Sequence, residues 1–379
     1  MATDSVMLAA GGTGGHLFPA FALAEELARR GIAVDLMTDH RGDRYGTGFP
    51  ARTVYPVPSA TLSGRSPIAL ARTGATLARG ILVARRVLAA VAPAAVVGFG
   101  GYPSFPPLIA ARMRGIPTVL HEQNAVLGRA NRLLAKYVRT IATSFETTRF
   151  LDGPAAAKAR LTGNPVRQIV IDQAMRPYDP SSEAAAFRLV VFGGSQGARY
   201  FSDVMPPALA LLPPNLKSRV QLVQQCREED LARVEAAYAN AGIAATLAPF
   251  FKDLPERLAG AHLVIGRAGA SSVAEFGVLG RPSILVPLPH ALDNDQLQNA
   301  TRLAESGASW CFEQKTLTPE RLADEIGRLM REPETLAAAA AAAKSQGRPD
   351  AVKRLADVVE HAMGRRSPTR GDTADADAR

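Results

Sequence analysis

Two glycine-rich loops of one design, about 180 residues apart, constrain this 379-residue chain more than any other feature. The first runs Val6-Met7-Leu8-Ala9-Ala10-Gly11-Gly12-Thr13-Gly14-Gly15-His16, the second Leu189-Val190-Val191-Phe192-Gly193-Gly194-Ser195-Gln196-Gly197-Ala198. Each is a short apolar β-type run, then glycines around a hydroxyl residue, then a helical stretch. Glycines let the backbone approach a phosphate, and the following helix offers free N–H groups and a positive dipole end. The doubled loop predicts two Rossmann-like halves with a cleft between them, each taking a phosphate-bearing ligand.

Apolar runs alternate with helical patterns almost throughout, which predicts α/β architecture with parallel sheets. Strands are expected near Val6–Ala10, Ala33–Thr38, Thr53–Val57, Ala95–Gly98, Thr118–His121 and Thr140–Ala142. A second set is expected near Leu189–Phe192, Val220–Val223, Ala245–Ala248, Leu263–Ile265, Ser283–Val286 and Ser309–Phe312. A helix is expected over Phe18–Arg30, with Pro19 in its first turn, where the missing N–H costs nothing. The boundary falls after Gly163-Asn164-Pro165, giving domains over 1–165 and 166–348, with Arg167–Ala186 read as linker. Ala337–Ala343 is a strong helix former. A last helix, Ala351–Met363, is expected to pack back on the first domain, and the tail 365–379 to be disordered.

No run of about 18 apolar residues occurs without Pro, Gly or charge, so no membrane span is expected. No basic region precedes the first strand, so a leader peptide is not expected. Cys226 and Cys311 form neither a metal-type cluster nor a disulfide framework, and the expected compartment is cytoplasmic. The net charge of +9 calls for an anionic partner. Aromatics at 6% and the lack of any helix-turn-helix, zinc or RNP pattern argue against nucleic acid. Anionic lipid or a phosphate-rich substrate fits better.

Two common phosphate readings fail. From Gly12 the sixth position of a G-x-G-x-x-G fingerprint is Leu17, and no Gly-Lys-Ser/Thr run exists. A nucleotide site at the C-terminal strand ends of one half remains. In Gly266-Arg267-Ala268-Gly269-Ala270-Ser271-Ser272-Val273-Ala274-Glu275, the N–H groups of Gly269–Ser272 could hold a phosphate. Glu275, one turn further, could accept from a ribose diol or be a capping carboxylate. The cluster from Pro287 to Ala300 opens a helix with Asp293, Asn294, Asp295 and Gln296. It suits a reader of sugar hydroxyls, or an N-cap with an acidic first turn.

Taken in order, these stretches resemble the MurG family, the N-acetylglucosamine transferases of peptidoglycan synthesis. The matching segments are Gly11–His16, Gly100-Gly101-Tyr102, His121-Glu122-Gln123-Asn124, Gly163-Asn164-Pro165-Val166-Arg167, Gly193–Ala198, Arg267–Ala270 with Glu275, and Asp295-Gln296 with Asn299-Ala300. They span roughly residues 5–310. The resemblance implies the GT-B fold, two Rossmann-like domains facing across a cleft. It implies inverting transfer of N-acetylglucosamine from UDP-N-acetylglucosamine to the 4-hydroxyl of undecaprenyl-pyrophosphoryl-N-acetylmuramyl-pentapeptide.

The resemblance also implies roles. Phe251 pairs with uracil through its backbone, Leu254 edges the nucleotide pocket and Glu275 holds the ribose. Arg167, Ser195 and Gln196 meet the diphosphate, with Thr13, Gly14, Gly15, Asn124, Ala270 and Ser271 completing the donor set. Asp295 and Gln296 read the sugar. Gly11, Gly12, Gly14, Gly15, Gly100, Gly101 and Tyr102 take the acceptor's pyrophosphate end. One departure stands out: the family often carries His-Gln-Ser-Gly where this chain has Gln224-Gln225-Cys226-Arg227, so no donor role carries over there. Asp295 stands where some relatives have glutamine.

Inversion needs a base for the acceptor hydroxyl and a stabiliser for the leaving diphosphate. His16 is the first candidate base, with an ordinary pKa near 6.5; its other reading is a phosphate ligand. Asn124 would position the acceptor, and Glu122 is an alternative base. His121, His262 and His290 are read as structural or peripheral. Arg167 and loop N–H groups can hold diphosphate without a metal. Asp293 and Asp295 are the nearest approach to a metal-binding pair, and no cofactor is expected.

Arg72, Arg79 and Arg86 recur every seven residues with Arg65, so on a helix they form one basic stripe, with Ile81 and Leu82 among the apolar neighbours. Gly74 and Gly80 weaken a continuous helix there. An ordinary solvated helix is the plain reading. The family resemblance, with its lipid-linked acceptor, implies instead a peripheral membrane face on an anionic leaflet, at the cytoplasmic side of the inner membrane. It leaves room for other cell-wall synthesis proteins as partners. Three other readings stay open: a GT-B enzyme for a soluble or lipid aglycone, a non-catalytic nucleotide-sugar binder, and a sugar-nucleotide epimerase of the same fold.

Overall fold

In the computed structural model, residues 3–11, 14–39, 48–61, 66–182, 185–194 and 197–365 are described. The apolar runs form strands buried on both faces, as parallel sheets covered by helices require. β1 (Thr3–Ala9), β2 (Ala33–Thr38), β3 (Val54–Pro56), β4 (Pro93–Gly98), β5 (Thr118–Glu122), β6 (Thr140–Thr143) and β7 (Ala159–Leu161) form one sheet, ordered β3-β2-β1-β4-β5-β6-β7. β8 (Phe187–Phe192), β9 (Val220–Gln225), β10 (Ala245–Ala248), β11 (Leu263–Gly266), β12 (Ser283–Leu285) and β13 (Ser309–Cys311) form the second, ordered β10-β9-β8-β11-β12-β13. Every pairing is parallel. Both sheets wind outward from their first strand and then reverse, so each has a switch point beside it: β1/β4 and β8/β11. This is the GT-B arrangement.

Two chain crossings join the halves. Gly163 (φ +86°) has no room for a side chain, since a Cβ would sit 2.9 Å from Arg348 Cδ and 3.0 Å from Ala351 Cβ. Gly347, on the return crossing, lies against Gly277, whose carbonyl would be 2.4 Å from an added Cβ. Beyond it the Ala351–Ala362 helix lies on the Gly14–Arg29 helix, and Leu355, Ala356 and Val359 share a core with Val6, Leu8 and Val97. Arg30 ties this docking with ion pairs to Asp357 (2.6 Å) and Glu360 (2.5 Å).

Three elements differ from expectation. The basic stripe lies on one unbroken helix, Pro67–Val91, capped by Ser66, whose Oγ accepts from Ala69 N–H at 3.2 Å. Gly80 does not break it. It is the point of closest approach, where a Cβ would lie 2.1 Å from the Pro58 carbonyl. β7, an edge strand of three residues, is too short for its alternation to mark it in the sequence. The segment read as linker contains a helix, Gln168–Gln173, whose Val170 is fully buried. The tail from 366 onward lies outside the described residues.

Candidate functional site

All four glycine turns sit at the two switch points, where open α/β sheets bind ligands. Gly11 follows β1 and Gly100-Gly101 follow β4; Gly193-Gly194 follow β8 and Gly266 to Gly269 follow β11. Gly11 is enclosed, with Asp39 Oδ1 2.9 Å and Thr38 Oγ1 3.0 Å from where a Cβ would stand. Gly100 (φ +86°) and Gly101 (φ +67°) hold left-handed backbone, and Ser104 Oγ bonds the carbonyls of Ala9 (2.7 Å) and Gly100 (2.8 Å), tying the two turns together. The helices that leave the Gly11 and Gly269 turns, Gly14–Arg29 and Ala270–Leu279, touch across the interface.

Between the domains lies a cavity of about 360 Å³, lined by His16, Tyr102, Glu122 and Asn124 from the first and Asp293 and Asp295 from the second. The His16 ring lies against Gly101, where an added Cβ would be 3.3 Å from Cε1, and it hydrogen-bonds the Gly11 backbone. Burial holds its pKa below the ordinary 6.5, so the ring is neutral, as a base must be. Glu122 is 1% exposed. Its Oε1 accepts from Asn124 N (3.0 Å) and Nδ2 (3.3 Å), and its Oε2 from Gly128 N (2.8 Å) and Asn131 Nδ2 (2.7 Å). Burial raises its pKa against these four donors, and the carboxylate shapes the 122–131 loop. His121 is fully buried, bonded to the Gly163 carbonyl (3.2 Å) and Gln123 (3.0 Å), and burial pushes its pKa down to about 4. His262 is also pushed to about 4 by burial, and its Nδ1 accepts from Arg188 N at 3.0 Å. His290 is exposed.

On the second domain, Arg167 Nη2 reaches Glu275 Oε1 at 3.0 Å, so the residues expected to meet the diphosphate and the ribose form one ion pair, with the carboxylate buried and the guanidinium half-buried. Burial raises the Glu275 pKa against the pull of Arg167. The Arg167 guanidinium lies 5.2 Å from the Phe18 ring centre of the first domain. Phe251 and Leu254 are both 9% exposed and belong to the core, leaving the Phe251 backbone as the part a base could meet. Ala270 and Ser271 begin the 270–279 helix, and Ser271 Oγ is buried without a partner. Asp295 Oδ1 accepts from Gln296 N–H (2.7 Å), and burial raises its pKa. Gln296 Oε1 accepts from Leu288 N–H (3.0 Å), tying the Pro287–Asn294 loop to its helix. Gly12, Thr13, Ser195 and Gln196 lie outside the described residues.

Asn299 belongs to the family-matching stretch, and the resemblance assigns it no role. It is fully buried and bonds both domains: its Oδ1 accepts from Ala125 N (2.8 Å), and its Nδ2 donates to Asn124 Oδ1 (3.0 Å) and the Ala268 carbonyl (3.0 Å). Its i,i+4 spacing from Asp295 put it on the same helix face, the one signal available beforehand. Asp293 makes a second stitch, with Arg132 (2.6 Å) and Arg129 (3.2 Å) of the first domain holding its Oδ2. These arginines keep its carboxyl below the usual range against its partial burial. Asp293 and Asn294 are left-handed (φ 56° and 54°), a strained turn that these bonds help hold.

Among the described residues no group of three or more His, Cys, Asp or Glu side chains could hold a metal ion, and no helix is long and apolar enough to cross a membrane. Arg72, Arg79 and Arg86 are exposed along the Pro67–Val91 helix, while Arg65 lies outside the described residues. Ile81 is half-buried against the first-domain core, contrary to its expected place on the outer face. The exposed apolar residues on the stripe's side are Ile68 (68%) and Leu82 (56%).

Residues 6–143 match the glycosyltransferase family 28 N-terminal domain and residues 188–355 the C-terminal domain of the same family. A UDP-N-acetylglucosamine--N-acetylmuramyl-(pentapeptide) pyrophosphoryl-undecaprenol N-acetylglucosamine transferase from Chelativorans sp. (strain BNC1) is 53% identical over 360 residues, covering 95% of this chain and 96% of that one. The protein of the same name from Methylobacterium sp. (strain 4-46) is 54% identical, with 95% and 97% covered. The crystal structure of Acinetobacter baumannii MurG superposes with a TM-score of 0.78 at 29% identity, covering 94% of this chain and 99% of that one. A putative UDP-N-acetylglucosamine 2-epimerase from Listeria monocytogenes shares the fold at a TM-score of 0.66 and 15% identity, with 95% and 97% covered. Identity above one half along nearly the whole chain, with both half-domains in place, shows that this chain belongs to the family of UDP-N-acetylglucosamine--N-acetylmuramyl-(pentapeptide) pyrophosphoryl-undecaprenol N-acetylglucosamine transferases.

Proposed function

We propose that this chain transfers N-acetylglucosamine from UDP-N-acetylglucosamine to the muramyl 4-hydroxyl of undecaprenyl-pyrophosphoryl-N-acetylmuramyl-pentapeptide, completing the lipid-linked disaccharide of peptidoglycan. The observation that carries it is end-to-end identity of 53–54% with transferases of that name, in a chain whose first switch point, at Gly11 and Gly101, shares one cavity with Asp293 and Asp295 of the second half. The second domain holds the donor. Glu275 takes the ribose, and Arg167 with the loop N–H groups takes the diphosphate. The Phe251 backbone meets uracil, and Asp295 and Gln296 meet the sugar. The first domain takes the acceptor at Gly11, Gly100, Gly101 and Tyr102. His16 removes the hydroxyl proton as the oxygen attacks C1 from the face opposite UDP. The bond from C1 to the diphosphate oxygen breaks, and the leaving charge falls on Arg167 and the loop. Glu122, with both oxygens engaged, positions the loop that carries Asn124.

The leaving group is neutralised by arginine and backbone dipoles, so no metal is required on this reading. UDP release should be acceptor-dependent and unchanged by EDTA, with a disaccharide-lipid product. Release abolished by EDTA would end metal independence. Isomerisation of the donor without acceptor would move the chain to the epimerases.

The Pro67–Val91 helix is the membrane face on this proposal, with Arg72, Arg79 and Arg86 against anionic headgroups and Ile68 and Leu82 dipping beneath them. A basic residue near such a surface contributes about 1 kcal/mol, so reversing all three to glutamate should cut binding to anionic vesicles by at least about 100-fold. UDP affinity should not change. Full vesicle binding by the triple variant would reject this face.

A further inference from the structure

β9 lies between β8 and β10, so its C-terminal end separates the loop leaving β8 from the loop leaving β10. The first is the glycine loop Gly193–Gly197, and the second begins Pro249-Phe250-Phe251. Gln225, the last residue of β9, is 6% exposed and uses both ends of its amide. Its Oε1 accepts from Gly193 N–H at 3.0 Å, and its Nε2 donates to the Pro249 carbonyl at 3.2 Å. Two residues on, Arg227 Nη2 donates to the Gly197 carbonyl at 3.3 Å, and Arg227 Cγ packs where a Gly197 Cβ would stand. Gln225, which matches the glutamine of the family pattern, and Arg227, which departs from its glycine, thus grip the glycine loop at its start and its end, and Gln225 bonds the neighbouring loop as well.

We propose that Gln225 is a positioning residue for the donor, setting the distance between the loop that holds the diphosphate and the loop that meets the base, with Arg227 steadying the far end of the first. This rests on the donor-site reading given above. A nucleoside diphosphate has two recognisable ends, and a protein that fixes the spacing of their subsites in advance orders less of itself on binding. Gly193 lies close against Ala198, where a Cβ would be 2.4 Å from Ala198 N, so no larger residue fits at the anchored end. A primary amide presents an acceptor to an N–H and a donor to a carbonyl from one planar group. Glutamate at 225 would keep the Gly193 bond but turn a lone pair toward the Pro249 carbonyl. Leucine would remove both bonds and leave the two loops untied at this point.

The test compares wild type, Gln225→Glu and Gln225→Leu by titration with UDP, uridine and inorganic pyrophosphate, and by steady-state kinetics in both substrates. UDP affinity should fall about tenfold for glutamate and more for leucine, each tenfold step being 1.4 kcal/mol. Affinities for uridine and pyrophosphate, which each occupy one loop, should change by less than about threefold, since no spacing is asked of them. The donor KM should rise with the UDP effect while the acceptor KM stays put. Equal losses for UDP and for the single-ended probes would mean a general structural role and overturn the proposal, as would an unchanged donor KM. If leucine impairs folding, the near-isosteric glutamate variant decides. Glu275→Gln is the control for the underlying reading. If it leaves UDP affinity unchanged, the donor site is misplaced. If it weakens UDP while both Gln225 variants bind normally, the strap alone is wrong.

Discussion

Glutamine in place of His16 should lower kcat by about 10²–10⁴-fold while changing the donor KM little, the range expected when a general base is lost. The side chain can still hydrogen-bond within the cavity, but it cannot take a proton. The pH profile gives an independent check. Burial holds the His16 pKa under 6.5. The neutral ring is the active form, so kcat/KM for the free enzyme should rise with pH to a plateau, with its acid midpoint below 6.5. That limb should vanish in the glutamine variant. If His16 is instead a ligand for the acceptor's pyrophosphate, the same substitution would raise the acceptor KM and leave kcat and the acid limb in place.

Leucine in place of Asn299 should be the most damaging single change at the domain interface. It strands the Ala125 N–H, the Asn124 Oδ1 and the Ala268 carbonyl, all now satisfied by one amide. A buried polar group left unpaired costs about 1–3 kcal/mol, so the groups on buried Ala125 and Ala268 together should cost at least about 2 kcal/mol, and the half-buried Asn124 loses its partner as well. Asn124 sits in the cavity and Ala268 in the turn before the 270–279 helix, so the loss should appear in turnover as well as stability. We expect a lowered unfolding midpoint and a reduced kcat/KM for both substrates. Aspartate is the informative companion. It keeps an acceptor for Ala125 but sets a carboxylate against the Asn124 oxygen and the Ala268 carbonyl, so it should rescue little. Wild-type turnover in both variants would show that the interface is held elsewhere.

Much of the fold was legible because its signals are local. Twelve of the strands were read from short apolar runs, several of them ending at glycine or proline, and the missing one, β7, is a three-residue edge too short to stand out. Glycines marked the cleft because left-handed turns such as Gly100-Gly101 and close approaches such as Gly11 exclude a Cβ. The Pro67–Val91 helix was misjudged at Gly80 for the same reason inverted. Propensity counts glycine as a helix breaker, whereas here it lets the helix meet the Pro58 carbonyl, a contact outside the helix itself.

The amino-acid order by itself determined two strand–loop–helix halves, their glycine turns and a family resemblance, since each depends on residues within a few positions of one another. The tertiary structure alone decided that Arg167 pairs with Glu275, that Glu122 is spent on its own loop, that Asn299 and Asp293 stitch the domains, and that Gln225 spans two donor-side loops. Local sequence patterns do not show these contacts. Most join residues far apart in the chain, some more than 100 positions apart, and even the short-range Glu122 loop is closed by specific backbone turns. Such bonds count only after the backbone's conformational entropy has been spent, when burial makes every unpaired polar atom costly.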